Sequence, residues 1–161
     1  MIRWLALALA LTVPAWRAQA HAMPNSTVVV EQLSPQSVRL TLSIPLSELA
    51  VALDRPGGAP ADVLAELPRY LTQHVSVVGA DGQPWLAKIE TITEVDDDHP
   101  VIVTVLSFTP PTSASPPPVS LRYDAVTHRV ASHYVLVYRR VGDQLVPLGR
   151  LQSPAITLNL P

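Results

Sequence analysis

The run Val38-Arg39-Leu40-Thr41-Leu42-Ser43-Ile44 decides the fold class of this chain. Apolar and polar side chains alternate along it, which is the period-two pattern of a β-strand buried on one face. About eight strands with turns at short intervals predict a mainly β fold, an antiparallel immunoglobulin-like β-sandwich, with an antiparallel barrel as the alternative. The other β-branched or alternating runs are 26–33, 75–78, 85–92, 101–108, 119–123, 134–141 and 156–160.

Two stretches depart from the strand pattern. Residues 46–53 (LSELAVAL) and 62–73 place their apolar side chains at helical spacing. Pro68 lies inside the second stretch, and a proline in a helix interior removes a hydrogen bond and clashes with the preceding turn. We therefore expect one short helix in the first stretch and only one or two helical turns around 69–72 in the second.

Turn residues divide the strands from one another. Asp81-Gly82, between the runs 75–78 and 85–92, predicts a hairpin that pairs these two runs. The proline-rich stretch 110–118 (PPTSASPPP) is typical of an exposed polyproline connector. Because it lies between runs of one predicted domain, we interpret it as a loop and not as a domain boundary.

The first twenty residues are predicted to be a secretory signal peptide. Arg3 precedes an apolar stretch of about ten residues, and Ala18-Gln19-Ala20 has the small-x-small pattern of a cleavage site. A membrane-spanning helix needs roughly twenty apolar residues, so we expect cleavage and no membrane span afterwards. Ala20-His21-Ala22 also fits the pattern, which leaves cleavage after Ala22 as the alternative. The sequence thus predicts an exported protein, periplasmic or extracellular, with one domain over 21–161.

The composition of the predicted mature chain narrows its function. Arg3 and Arg17 leave with the signal, so the 11 basic residues fall to nine against 13 acidic ones, a net charge of −4 with His neutral. A mildly acidic chain has no electrostatic footprint for nucleic acid, and we expect no nucleic-acid partner. The sequence contains no cysteine, which removes thiol catalysis and thiolate metal sites. It also contains no G-x-S-x-G, P-loop or H-E-x-x-H motif.

Short segments of the mature chain follow one another in a specific order. They are His21–Ser26 (HAMPNS), Ile44–Leu49 (IPLSEL), Tyr70–His74 (YLTQH), Asp81–Trp85 (DGQPW), and Tyr123–His128 (YDAVTH) with His133 five residues later. In this order and spacing they resemble the extracytoplasmic N-terminal region of HupE/UreJ-like membrane proteins. The resemblance covers nearly the whole mature chain and, since that family is associated with nickel or cobalt transport, implies an integral membrane transporter as a partner.

The chain also departs from that family. Its members continue from the position equivalent to Leu148-Gly149 into a bundle of membrane helices, and this sequence ends at Pro161 without such segments. The resemblance therefore implies the extracytoplasmic module alone, and transport activity is not carried over to it.

His21 is the first candidate metal ligand. If cleavage follows Ala20, His21 carries both an α-amino group and an imidazole, and these two groups chelate one ion as in a histidine brace. An α-amino group has a pKa of about 8 and an imidazole of about 6.5, so both are freed for coordination near neutral pH. Nitrogen ligands favour Cu(II), then Ni(II) and Zn(II). The alternative is a histidine that lies beside the cleavage site by chance or leaves with the signal.

His128 and His133 are the second group of candidates. In a loop that enters a strand, both imidazoles can converge on one ion, and Tyr123-Asp124 can supply a carboxylate ligand or a hydrogen-bond acceptor behind a ligand. The alternative is that these histidines make structural hydrogen bonds in the loop before the strand at 134–141. His74 ends a helical stretch, where a histidine favours the negative end of the helix, and we expect no ligand role for it.

Two other polar groups receive structural interpretations. Asp96-Asp97-Asp98-His99 is predicted to be a solvated turn, because a Ca²⁺ loop requires glycine at its bend and ligands at alternate positions. Ser47 and Glu48 are interpreted as a cap and a surface charge beside a short helix.

These observations predict an exported, non-catalytic metal-binding protein that binds or delivers copper or nickel. Its expected ligands are His21 with His128 or His133, and its expected cofactor is Cu(II) or Ni(II). The alternative is a metal-free interaction module that docks on a membrane transporter. A copper-dependent oxidative enzyme also uses an N-terminal histidine, but the chain is short and lacks an aromatic-rich substrate face, so we predict that it is not an enzyme.

Overall fold

A computed structural model describes residues 25–95, 98–113 and 117–161 of the chain. The predicted signal peptide, both cleavage sites, His21 and the pair Asp96-Asp97 lie outside these residues. Strands predominate over helices in the described part, which confirms the mainly β prediction. The elements are β1 (Ser26–Ser34), β2 (Ser37–Pro45), α1 (Leu46–Ala52), α2 (Pro60–His74), β3 (Val75–Gly79), β4 (Leu86–Val95), β5 (Val101–Thr109), β6 (Pro118–Tyr123), β7 (Val135–Val141), β8 (Gln144–Leu151) and β9 (Thr157–Asn159).

The described strands form two sheets. The larger has six strands in the order β4-β5-β2-β1-β7-β8, and the smaller has three in the order β3-β6-β9. All neighbours pair antiparallel except β1 and β7, which run parallel. Both sheets and both helices contribute to one cluster of buried apolar side chains, so the arrangement is sandwich-like. The immunoglobulin-like strand order stays a prediction.

Strand β2 lies in the interior of the larger sheet and buries every second residue, as its alternating sequence predicts. Leu40 is fully buried and lies opposite Val30 on β1 and Leu106 on β5, which are also buried. Full burial of one such leucine stabilises the fold by about 1.5–3 kcal/mol. A register slip of one residue would turn this whole set toward solvent, so the pattern also sets the pairing.

Helix α2 is longer than the sequence predicted. It has 15 residues and continues through Pro68, so the prediction of only one or two turns was wrong. It begins with Pro60, in the first turn where a proline is favourable. Pro68 is exposed, and the opposite side of the helix packs into the core, which offsets the cost of an interior proline. The buried residues of α2 are Val63, Leu67, Tyr70 and Leu71.

Strands β3 and β4 do not form the predicted hairpin. The chain makes a tight turn at Asp81-Gly82, but only a single bridge joins Val78 to Pro84, and the Trp85 N–H donates to the Val77 carbonyl at 2.8 Å. This bridge lies between two hydrogen bonds, from the Gly79 N–H to the Gln83 carbonyl and from the Trp85 N–H to the Val77 carbonyl, and the pairing ends at Trp85. From Leu86 the chain joins the other sheet and pairs with β5, so the predicted pairing was wrong.

Strand β8 was not predicted from the sequence. The turn Gly142-Asp143 links it to β7, with Val141 paired to Gln144. Pro147 interrupts its β pattern, which an edge strand tolerates because one of its sides makes no ladder. In the described ranges neither helix is both long enough and apolar enough to cross a membrane.

Candidate metal-binding site

Residues 124–134, which connect β6 to β7, carry three of the polar residues singled out above, and we call them the histidine loop. The register of the smaller sheet sets where this loop begins. Val75 on β3 pairs with Tyr123 on β6, so the residue before the first, His74, lies opposite the residue after the second, Asp124. The Asp124 N–H donates to the His74 carbonyl at 3.0 Å. The C-terminal end of α2 therefore meets the start of the histidine loop.

His74 is half-buried, and its ring is oriented by a carboxylate. Its Nδ1 lies 2.9 Å from Oδ1 of Asp124. An ionised carboxylate can only accept a hydrogen bond, so Nδ1 carries the proton and donates it. In the neutral imidazole, Nε2 then carries the lone pair. This is the nitrogen that a metal ion would bind.

His128 is exposed and is oriented by the same residue. Its Nδ1 donates to the backbone carbonyl of Asp124 at 2.9 Å, and its own backbone N–H donates to that oxygen at 3.1 Å. A carbonyl oxygen is an acceptor only, so this hydrogen bond also leaves the lone pair on Nε2. Asp124 therefore holds both imidazoles in the same tautomer, one through its side chain and one through its backbone.

The two imidazole rings stack on each other. Their centroids are 4.3 Å apart and their planes differ by 13°. The Tyr70 ring lies 4.5 Å from His74 and 5.9 Å from His128. Both Nδ1 atoms are hydrogen-bonded to Asp124, so Nε2 is the nitrogen that each ring has left for another partner. We call Tyr70, His74, Asp124 and His128 the paired-histidine cluster.

The backbone of the histidine loop is held in an unusual conformation by Tyr70. Val126 is fully buried with φ of +64°, a left-handed conformation that β-branched residues rarely adopt. Its N–H donates to the Tyr70 hydroxyl at 2.8 Å. Burial raises the pKa of Tyr70 to about 12, so the phenol stays neutral at ordinary pH. Such backbone strain costs on the order of 1–3 kcal/mol, and it persists where the surrounding contacts determine the shape.

His133 occupies a different environment from His128. It is buried, its Nε2 is hydrogen-bonded to Ser26 Oγ at 2.9 Å, and its Nδ1 lies 3.8 Å from Oε2 of Glu48. The structure thus gives the two histidines of the H-x4-H pair separate partners. The contacts of His133 match the structural alternative of the sequence analysis, because they join the loop to the start of β1 and to α1.

The interpretation of Ser47 and Glu48 was wrong. Pro45 occupies the N-cap position of α1, without a side-chain cap hydrogen bond, and Ser47 lies inside the helix. The Glu48 side chain is only 20 % exposed and faces His133, and burial raises the pKa of its carboxyl. It is therefore a partly buried partner of the histidine loop and not a surface charge.

The cluster supplies two nitrogen ligands and one orienting carboxylate. Within residues 25–95, 98–113 and 117–161, no group of three or more His, Cys, Asp or Glu side chains is placed to hold a metal ion. Arg122 approaches the second oxygen of Asp124 at 3.9 Å, so that carboxylate is shared between a histidine and an arginine. Asp124 is thus suited to orient ligands. A metal ion here would take further ligands from outside this set.

Sequence reasoning placed Asp124 as an acceptor behind a ligand but missed the role of His74 beside it. His74 and Asp124 are 50 residues apart in sequence, and only the pairing of β3 with β6 brings them together. Tyr70 and His74 lie four residues apart on one helix, so they share a face, a spacing that the sequence did display.

No protein-family model matches this chain, and a search of curated proteins finds no match either. The resemblance to HupE/UreJ-like proteins therefore stays a prediction.

Proposed function

We propose that the mature chain is an exported, non-catalytic metal-binding protein for Cu(II) or Ni(II). Its ligands in this proposal are the amine and imidazole of His21 together with Nε2 of His128. The observation that supports it best is the hydrogen bond from His128 Nδ1 to the Asp124 carbonyl, which leaves the lone pair on Nε2 of this exposed residue. His133 is left out of the ligand set, since it is buried and bonded to Ser26.

Chain connectivity is compatible with a ligand from the N-terminus. The Ser26 N–H donates to the Tyr134 carbonyl at 3.1 Å, and its hydroxyl bonds to His133, so β1 begins against the end of the histidine loop. The five residues from Ser26 back to His21 span at most about 17 Å when extended. A site that combines His21 with His128 requires the two residues to approach within that reach.

The donor set argues for the choice of metal. The sequence has no cysteine, so thiolate ligands are absent and imidazole and amine nitrogens remain. Such nitrogens bind Cu(II) most tightly, then Ni(II) and Zn(II). The resemblance to HupE/UreJ-like proteins supports Ni(II) as the alternative and an integral membrane transporter as the recipient of the ion.

The test compares four proteins by calorimetric titration with Cu(II) and Ni(II). They are the chain beginning at His21, the same chain extended by one N-acetylated residue before His21 so that no free α-amine remains, His128→Ala, and the control His99→Ala in an exposed bend. The added residue converts the α-amine to an amide, so it should weaken binding by about tenfold or more, as should His128→Ala. His99→Ala should bind as the native chain does.

Three results would count against this function. An intact mass that begins at Met23 removes His21 from the mature protein and ends the N-terminal chelate. Equal affinity of the native and extended chains shows that the α-amine is not a ligand. If no protein in the series binds more tightly than a free surface histidine, the metal-free interaction module takes the place of this proposal.

A further inference from the structure

We propose that His74 and His128 together form a two-nitrogen site for a divalent ion of the Cu(II), Ni(II) or Zn(II) class, with Asp124 as its positioning residue. This inference deepens the proposed function and rests on it for the metal chemistry. It differs in predicting that binding persists without the N-terminal chelate, and it assigns a ligand role to His74.

Both imidazoles are held by Asp124 in the tautomer that binds a metal ion through Nε2. Histidines that bind metals usually donate their second N–H to a carboxylate or a backbone carbonyl, which sets the tautomer and the ring orientation. His74 donates to the Asp124 carboxylate and His128 to the Asp124 carbonyl, each at 2.9 Å. Neither Nε2 atom hydrogen-bonds to another residue in the described part of the chain.

Helix α2, strand β6 and the histidine loop together position the two histidines and Asp124. His74 lies at the end of the 15-residue helix α2, where its ring packs 4.5 Å from that of Tyr70. Asp124 follows directly on β6, and the strained turn at Val126 presents His128 over His74. His74 is thus held before binding and loses little conformational entropy when the ion arrives, whereas the exposed His128 ring adjusts to it.

Two imidazole nitrogens would fill only part of the coordination sphere of an ion at this site. The rings lie within 13° of parallel, so an ion shared by both Nε2 atoms requires the exposed His128 ring to tilt toward His74. Zn(II) commonly takes four ligands in proteins, so two protein nitrogens leave coordination positions open on the solvent side. Water, the nitrogens of His21 or a donor from a receiving protein can fill these positions. Open positions allow ligand exchange, as delivery requires.

The test uses the mature chain extended by one N-acetylated residue before His21, so that no free α-amine remains and the N-terminal chelate is absent. Titration with Zn(II) is followed by calorimetry and by ¹⁵N shifts of the histidine rings. His74→Gln and His128→Gln should each weaken Zn(II) binding by about tenfold or more, and Asp124→Asn by about 10–100-fold at unchanged stoichiometry. His99→Gln should not change it. The perturbed ring nitrogens should be Nε2 of His74 and of His128.

A structural role for these residues would give different readouts. Asp124→Asn should shift the metal-free Nδ1 and Nε2 signals of His74, because a neutral amide that can present either an acceptor or a donor to Nδ1 replaces a carboxylate that only accepts. Thermal unfolding without metal separates lost stability from lost binding. The inference is overturned if His74→Gln binds Zn(II) as tightly as the extended parent, or if the shifts fall on His99 alone.

The two proposals fail in distinguishable ways. If the extended chain loses all Zn(II) binding while the native chain keeps it, the paired-histidine site is wrong and the N-terminal chelate stands. If the extended and native chains bind equally and both depend on His74, the N-terminal chelate is wrong and the paired-histidine site stands.

Discussion

The Tyr70 side chain packs in the core and also hydrogen-bonds to the histidine loop. Only 6 % of it is exposed, its hydroxyl accepts the Val126 N–H at 2.8 Å, and its ring packs 4.5 Å from that of His74. Tyr70→Phe keeps the ring but leaves a buried N–H without its partner, so we expect a loss of about 1–3 kcal/mol in the free energy of unfolding. Urea denaturation measures it. Tyr138→Phe, at a half-buried tyrosine, is the control and should change stability by less than about 0.5 kcal/mol.

Burial makes Tyr70 and Tyr123 harder to ionise than a tyrosine in water. It raises the pKa of Tyr70 from 10.0 to about 12 and that of Tyr123 still further. The pKa of Tyr70 is higher in the folded chain than in the unfolded chain. The contribution of its neutral phenol to folding stability is therefore complete below about pH 10 and is lost as the pH rises through about 12. We expect two of the four tyrosines to resist ionisation until the chain unfolds. Near-ultraviolet tyrosinate absorbance, followed with circular dichroism, tests this. Ionisation of Tyr70 or Tyr123 near pH 10 in the folded protein would contradict it.

At the scale of elements, α2 contains a proline that packing tolerates. Pro68 lacks the N–H that would complete an intrahelical hydrogen bond, and it is exposed. Pro68→Ala should raise the free energy of unfolding by about 1–2 kcal/mol, because the restored bond outweighs the added entropy of the unfolded chain. Pro60→Ala, in the first turn, is the matched control and should be neutral or slightly destabilising. Equal effects of both variants in urea denaturation would refute this reasoning.

The strands show how far local sequence predicts this fold. Strand β2 buries every second side chain, and apolar residues alternate with polar ones along it, so its sequence predicts the strand directly. Strand β8 has a largely exposed pattern with Pro147 inside it, and an edge strand of that kind carries little periodic signal. The pairing of β4 with β5 depends on contacts across the sheet. The turn at Asp81-Gly82 therefore does not indicate which strand β4 pairs with.

The paired-histidine cluster was likewise only partly predictable from local sequence. His128 and the acceptor role of Asp124 were accessible from the sequence, because a polar loop follows a strand. The contact of His74 with Asp124 was not, since it depends on the register of β3 against β6. The separate environment of His133 follows from the burial of Ser26 at the start of β1, another non-local fact.

At the scale of the whole molecule, the proposed metal site exists only in the folded chain. Its nitrogens come from the end of α2 and from the histidine loop, and the smaller sheet brings them together. An ion that binds the native chain in preference to the unfolded chain must therefore stabilise it. This links the site to global unfolding and makes unfolding a measure of binding.

We accordingly expect Zn(II) or Ni(II) to raise the melting temperature of the mature chain. At a free concentration of 100 times the dissociation constant, the gain is about 2.7 kcal/mol, or roughly 8 °C for a chain of this size. The gain should shrink as pH falls, because protons compete with the ion for every nitrogen. It should vanish when His74 and His128 are both replaced by Gln and should persist in His99→Gln. A metal-induced shift that survives the double replacement would place the ion elsewhere on the chain.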